Sequence, residues 1–92
     1  MVYMITYDLN APGKDYNGLY EAIKAASDGT WCHFWESSWL IRTGPISANG
    51  VFEKLKPHLD DNDRVLVVEV KNNKQGWLEA EHWDYINNNI FV

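Results

Sequence analysis

Cysteine and long apolar segments are scarce in this sequence. Cys32 is the one cysteine in 92 residues, so an internal disulfide is excluded, which is typical of proteins in a reducing cytoplasm. No apolar run reaches the roughly 18 residues that a membrane-spanning helix needs. The beginning of the chain also lacks the basic region and long apolar segment of a signal peptide. These absences predict a cytoplasmic protein with no membrane contact.

Basic residues are few as well. Eight Lys and Arg stand against thirteen Asp and Glu, which gives a formal charge of −5 and a pI of about 4.9. A general nucleic-acid ligand is therefore not expected, because such binding needs a basic surface that displaces counterions from phosphates. Tryptophan and tyrosine are abundant instead, with five of each. These residues are favoured in cores and at subunit interfaces, so a homodimer is expected.

Apolar periodicity predicts one domain over residues 1–92. Its elements, in order, are a strand over Val2–Tyr7, a helix over Tyr16–Ala26, two short strands joined by a turn or bulge within Thr30–Gly44, a helix over Val51–Leu59 and a central strand over Arg64–Val70. This βαββαβ order predicts an α+β, ferredoxin-like fold: an antiparallel sheet with two helices on one face. The core spans about residues 2–70, and residues 71–92 form a C-terminal extension.

Polar residues mark the ends of these elements. Asp15 and Ser47 are the predicted N-caps of the two helices, and Pro57 marks the last turn of the second. In the extension, Leu78, His82 and Tyr85 suggest a short amphipathic helix. The sequence further predicts that the run of asparagines stops this helix and that residues 90–92 pair as an edge strand.

Three short motifs resemble a known family. Tyr7-Asp8-Leu9 ends the first predicted strand, Ser38-Trp39-Leu40 lies in the strand pair, and Asp63-Arg64-Val65 begins the last strand. Together with the order of elements, these motifs are similar to the small ferredoxin-like CRISPR adaptation nucleases and the VapD-type ribonucleases, over roughly residues 2–70. The opening TYDLN also resembles short bacterial and phage proteins of unassigned activity that are grouped with that family.

The resemblance implies a role for Asp8. In nucleases of this build, the strand-end aspartates of two subunits are proposed to hold Mg²⁺ across the dimer axis, where a metal-bound water supplies the nucleophile. Asp8 would then be the metal ligand and catalytic residue, with the amide of Asn10 supporting it. The alternative is that Asp8 simply ends the strand and accepts backbone N–H groups in the following turn.

Other polar residues favour structural interpretations. Cys32 and His33 are adjacent and would point to opposite faces of a strand, so they do not form a zinc pattern with His58 and His82. Cys32 is interpreted as a small buried side chain. Ser37 and Ser38, beside Glu36, lack the motif of a nucleophile and are interpreted as residues of a hairpin turn or a bulge. The aspartates at 60, 61 and 63 are interpreted as a solvated turn.

Two functions follow from these observations. The acidic composition favours a non-catalytic interaction protein, phage- or mobile-element-encoded, that binds a protein partner and needs no cofactor. Strand-end Asp8 favours a metal-dependent nuclease that uses Mg²⁺, and the residues do not decide whether the chain is an enzyme. The aromatic residues predicted to contact a dimer mate or another partner are Trp35, Trp39, Trp77 and Trp83.

Overall fold

A computed structural model describes all residues, 1–92, and has an α+β fold with a four-stranded antiparallel sheet and three helices. The strands are β1 (Val2–Asp8), β2 (Trp31–Trp35), β3 (Ser38–Arg42) and β4 (Arg64–Glu69). The helices are α1 (Asn17–Ala26), α2 (Ala48–Leu55) and α3 (Ala80–Tyr85). A 3-10 turn, Lys56–His58, extends α2, and a π-helical turn, Ile86–Ile90, extends α3.

The strands lie side by side in the order β2-β3-β1-β4, and each neighbouring pair is antiparallel. Because β3 lies between β1 and β2, helix α1 connects two strands that run in the same direction. Alternate side chains of β1 are buried beneath α1 and α2, which both cover what we call the first face of the sheet. The core on this face consists of Tyr3, Ile5, Tyr7, Leu19, Ile23, Ala26, Trp39, Ile41, Val51 and Leu55.

The predicted helix boundaries are confirmed in part. Ser47 caps α2, because its hydroxyl oxygen accepts the N–H of Gly50 at 3.0 Å. Pro57 lies in the 3-10 turn that closes this helix, as expected. Asp15 is not the N-cap of α1, whose cap position is Tyr16. The Asp15 carboxylate instead accepts the N–H of Asn17 at 2.9 Å and orders the turn that precedes the helix.

The predicted hairpin is confirmed, since β2 and β3 are joined by a two-residue turn at residues 36–37. The prediction that the Arg64–Val70 strand is central is wrong. β4 pairs only with β1 and forms an edge of the sheet. Its continuous apolar run resembles a strand buried on both faces, but only the first face of β4 is covered, by α2. Leu66 and Val68 consequently lie exposed on the opposite, second face.

The C-terminal extension forms a third layer. The helix continues through the three asparagines instead of stopping there, and residues 90–92 form no strand, so both predictions are wrong. The asparagine side chains point to solvent, while Ile86 and Ile90, four residues apart, are buried against Cys32 and Leu40 on the second face. Burial of the two isoleucine side chains, at about 1.5–3 kcal/mol each, outweighs the weak helix propensity of the asparagines.

Arg42 ties this third layer to the sheet. Its guanidinium donates to the Asp28 carboxylate at 2.8 Å, to the Asn89 carbonyl at 2.9 Å and to the Thr30 hydroxyl at 3.3 Å. One side chain of β3 thus holds the last helical turn and the loop after α1 together. None of the helices combines the length and the hydrophobicity needed to cross a membrane.

Candidate functional site

Asp8 ends β1 at an exposed corner of the sheet. It lies opposite Arg64 in the pairing of β1 with β4, and both side chains are exposed on the second face. The Asp8 carboxylate accepts no hydrogen bond and forms no ion pair, because Arg64 turns away and donates to the carbonyls of Asp61 and Asp63 at 3.0 and 2.9 Å. The sequence-based alternative is therefore confirmed in part: Asp8 ends the strand, but its carboxylate does not accept N–H groups of the next turn.

Asn10 does not support Asp8 as the nuclease interpretation requires. Its side-chain amide donates to the carbonyl of Asn62 at 3.1 Å and to the backbone carbonyl of Asp8 at 3.4 Å, not to the Asp8 carboxylate. Its backbone N–H donates to the carboxylate of Asp63 at 2.8 Å. Asn10 thus connects the loop after β1 to the turn before β4.

Asp63 is the acceptor at the centre of this connection, and its interpretation as part of a solvated turn is wrong. The residue is only 9% exposed. One carboxylate oxygen accepts the N–H of Asn10 and the hydroxyl of Tyr16 at 2.7 Å, and the other accepts the N–H of Asp60 at 2.8 Å. The sequence signal that could have found it is position: Asp63 directly precedes a strand, where a carboxylate commonly orders a turn.

The hydrogen bonds decide the ionisation of Asp63. Burial by itself would raise the pKa of this carboxyl group, but the donors Asp60 N–H, Tyr16 O–H and Asn10 N–H, helped by the nearby Lys14 charge, hold the pKa below its ordinary value. Burial and the same carboxylate raise the pKa of the Tyr16 hydroxyl. Asp63 is therefore a buried anion that organises two loops, which is a structural role.

The cysteine and two of the three histidines, His33 and His82, have different packing partners. Cys32 is buried on the second face, where burial raises its thiol pKa to about 11, so the interpretation as a small buried side chain is confirmed. His33 stacks on Trp39 with ring centroids 4.0 Å apart, and His82 stacks on Phe34 at the same distance. No group of three or more His, Cys, Asp or Glu side chains comes together in a way that could hold a metal ion.

The four predicted contact tryptophans separate into three classes. Trp39 is 2% exposed, and its indole N–H donates to the hydroxyl of Tyr7 at 2.9 Å inside the core, so it cannot contact a partner. Its position in β3 points to the first face, beneath α1. Trp35 and Trp83 are half-buried and line a cavity on the second face. Trp77 is 100% exposed and is available to another molecule.

The two edges of the sheet differ in a way that the sequence did not reveal. The N–H of Val70 donates to the carbonyl of Val2, so by alternation the N–H and C=O groups of Val65, Val67 and Glu69 point away from β1, toward the open edge. At the β2 edge, by contrast, the outward carbonyl of Trp31 accepts the hydroxyl of Tyr85 at 2.8 Å.

The chain matches no protein-family model, and no curated protein sequence matches it.

Proposed function

We propose that this protein is a small non-catalytic interaction module that binds a protein partner. The observation that carries the proposal is Trp77, whose large apolar side chain is fully exposed. It stands just before Glu79, Glu81 and Asp84, and residues 75–92 contain no Lys or Arg. An exposed tryptophan beside carboxylates is suited to a partner that offers an apolar pocket with a basic rim.

The same proposal includes an assignment of the fold and of the family. The βαββαβ order of the first 70 residues, with β3 inserted between β1 and β2, supports a ferredoxin-like domain. The Tyr7-Asp8-Leu9 motif at the end of β1 supports a relation to the CRISPR adaptation nucleases and VapD-type proteins. Within that relation, the acidic charge and the isolation of Asp8 favour a member that has no nuclease activity, encoded by a phage or mobile element and acting in the cytoplasm.

We further propose that the module is a homodimer joined through the open edge of β4. An antiparallel pairing centred on Val67 would use the outward N–H and C=O groups of Val65, Val67 and Glu69 in both copies. It would also place Leu66 opposite Val68 of the second copy. These two side chains are 58% and 40% exposed, and the strand carries no Lys, Pro or bulge to block its edge.

Cross-linking tests the dimer. In the proposed register, residues 66 and 68 of different copies form a close, non-hydrogen-bonded pair with Cα atoms about 4.5 Å apart, within the range of a disulfide. The double variant Leu66→Cys/Val68→Cys is expected to form a covalent dimer under mild oxidation. The control Glu36→Cys/Ser37→Cys, which places two cysteines in the exposed turn between β2 and β3, should not. Equal cross-linking of both variants would contradict the β4 interface.

Partner capture tests the interaction function. The wild-type protein, immobilised in cell extract at low salt, should retain a specific protein that Trp77→Ala loses and that Glu79→Lys/Glu81→Lys weakens more than tenfold. A purified copy of that protein should then bind with the same ranking. Asn88→Ala, an exposed change on the same extension, serves as the control. Retention that does not depend on Trp77 would refute the proposal.

The second candidate function is a metal-dependent nuclease, favoured by the exposed and unpartnered carboxylate of Asp8 at the strand end. The adjacent Arg64 opposes it, because a cation beside Asp8 disfavours binding of a second cation. The β4 dimer opposes it as well. With about 3.3 Å per residue and 4.8 Å between strands, that dimer separates the two Asp8 residues by more than about 20 Å, too far to share an ion.

Titration with Mg²⁺ and Mn²⁺, followed by NMR of Asp8 and its neighbours, tests the nuclease candidate. Saturable, site-specific changes that Asp8→Ala abolishes, together with cleavage of RNA or DNA, would replace the interaction proposal. Indifference to both ions in a folded wild-type protein would remove the nuclease candidate.

A further inference from the structure

A cavity of about 260 Å³ lies on the second face of the sheet, beneath the segment that connects β4 to α3. The sheet forms its floor, α3 forms one wall, and the connecting segment, residues 70–79, covers it. Its apolar lining includes Met4, Trp35, Leu40, Leu78, Trp83 and Phe91. The cavity is slightly smaller than the roughly 300–1,000 Å³ of pockets that hold drug-sized ligands, so it suits a smaller molecule.

The charged side chains around this cavity are all positive. Lys71 and Lys74 line it, together with amides of Asn73 and Gln75, and no Asp or Glu does. This composition is opposite to that of the whole chain, in which acidic residues outnumber basic ones by thirteen to eight. A cavity with only cationic charge in an anionic protein favours a ligand that carries negative charge.

Neither lysine is neutralised by the protein. The ion pairs of the chain involve Lys14, Lys24 and Arg42, not the cavity lysines. Lys74 is held in place over the ring of Phe91, with its amine nitrogen 4.7 Å from the ring centroid, and it donates to the side chain of Asn72. Its charge is therefore fixed next to the apolar lining and is not satisfied by a carboxylate.

We propose that this cavity binds a small amphipathic anion, with an aromatic or short aliphatic body and a carboxylate. The body lies against Trp35 and Trp83, where its apolar surface leaves water. The carboxylate stays at the mouth of the cavity and pairs with Lys71 and Lys74. This site is separate from Trp77, whose side chain does not line the cavity, and the proposal does not rest on the interaction function.

Three ligands of the same shape test the preference for an anion: 4-phenylbutyrate, 4-phenylbutanol and 4-phenylbutylamine, at fixed ionic strength. Binding is followed by the NMR signals of the indole N–H groups. The signals of Trp35 and Trp83 should shift saturably, while the signal of exposed Trp77 should not. The carboxylate is expected to bind at least fivefold more tightly than the alcohol, and the amine most weakly.

Paired charge variants separate a local effect from the overall charge. Lys71→Gln/Lys74→Gln should abolish the preference for the carboxylate while leaving the affinity for the alcohol within twofold. Lys54→Gln/Lys56→Gln makes the same change of net charge at exposed positions of α2 and the following turn, and it should keep the preference.

Each other result overturns the proposal. Equal binding of the three ligands to the wild-type protein would show that the lysines do not select an anion. An equal loss of preference in both double variants would show that only the overall charge matters. Shifts confined to Trp77, or no shift with any ligand up to about 10 mM, well above a dissociation constant of about 1 mM, would show that the cavity is not a site.

Discussion

The two edges of the sheet differ in how well they are protected from pairing with another strand. At the β2 edge, the pairing with β3 is irregular between Cys32 and Trp35, and α3 covers the strand: His82 stacks on Phe34, and Tyr85 caps the carbonyl of Trp31. At the β4 edge the pairing is regular, the outward groups are open and apolar side chains are exposed. Since bulges and covering elements prevent edge-to-edge pairing, the comparison indicates that one edge of the sheet is protected from pairing with another strand and that the other is open to it.

The C-terminal extension produces this difference. It follows β4 directly, crosses the second face and packs over the β2 and β3 half of the sheet, where Ile86 and Ile90 contact Cys32 and Leu40. The β4 half of the same face therefore keeps Leu66 and Val68 in solvent. One segment thus creates a covered half, an open half and the cavity between them.

The largest expected effect on stability comes from a substitution in the covered half of this face, compared with one in the open half. Ile90→Ala should lower the free energy of unfolding by about 2–5 kcal/mol, because it leaves a cavity under the π-helical turn that extends α3. Leu66→Ala, in the open half, should change the stability of the monomer by less than about 0.5 kcal/mol. Urea denaturation at low protein concentration measures both. Similar losses for the two variants would show that the halves are equally covered.

A somewhat smaller effect is expected at the start of β4. Asp63→Asn should cost about 2–3 kcal/mol, because an amide cannot replace the carboxylate that accepts from Asn10, Tyr16 and Asp60. Urea denaturation at neutral pH measures this change. Asp61→Asn, at an exposed neighbouring position, is the matched control and should be neutral. A neutral Asp63→Asn would contradict the role of this anion in holding the open strand.

The Asp63 carboxylate also makes the stability of the protein depend on pH. The pKa of Asp63 is lower in the folded chain than in the unfolded chain, so its stabilisation is complete above the ordinary aspartate value of about 4 and disappears as the pH falls through the folded-state pKa. The stability gap between the wild-type protein and Asp63→Asn should therefore narrow below about pH 4. Denaturation curves across this range measure it, and a gap independent of pH would contradict the assignment.

The smallest expected effect concerns the protected edge. Tyr85→Phe should cost about 0.5–1.5 kcal/mol, because it removes the hydrogen bond to the carbonyl of Trp31 and keeps the ring against Phe34. Thermal denaturation measures the loss. If the tyrosine hydroxyl protects the edge, hydrogen exchange of β2 should accelerate more than that of β4, and the opposite ranking would show that the hydroxyl does not protect this edge.

Local patterns in the sequence were sufficient to predict most of the helices and strands. The positions of the four strands, the cap at Ser47 and the burial of Cys32 follow from periodicity, turn chemistry and alternation along a strand. Edge and centre could not be distinguished, because an apolar run such as VLVV looks the same in either position. The end of α3 was also missed, since tertiary burial of Ile86 and Ile90 overrides the local preference of the asparagines between them.

The candidate site was harder to predict because it depends on contacts between distant segments. The exposed position of Asp8 at the end of β1 agrees with the sequence pattern. The direction of the Asn10 amide depends on residue 62, and the burial of Asp63 depends on Tyr16, which lies 47 residues away. The sequence does not distinguish Trp39 from Trp77 as a core residue: Trp39 is buried beneath α1, whereas Trp77 lies exposed in the segment before α3.

The most direct test of the open edge is sedimentation velocity of the wild-type protein and Val67→Pro at micromolar concentration. The N–H of Val67 points away from β1, so proline removes a group that only a second copy would use, and edge strands tolerate this residue. We expect the wild-type protein to sediment as twice the 10.7 kDa chain and Val67→Pro to sediment as a single chain with an unchanged circular dichroism spectrum. A monomeric wild-type protein, or a Val67→Pro variant that stays dimeric, would contradict the association through β4.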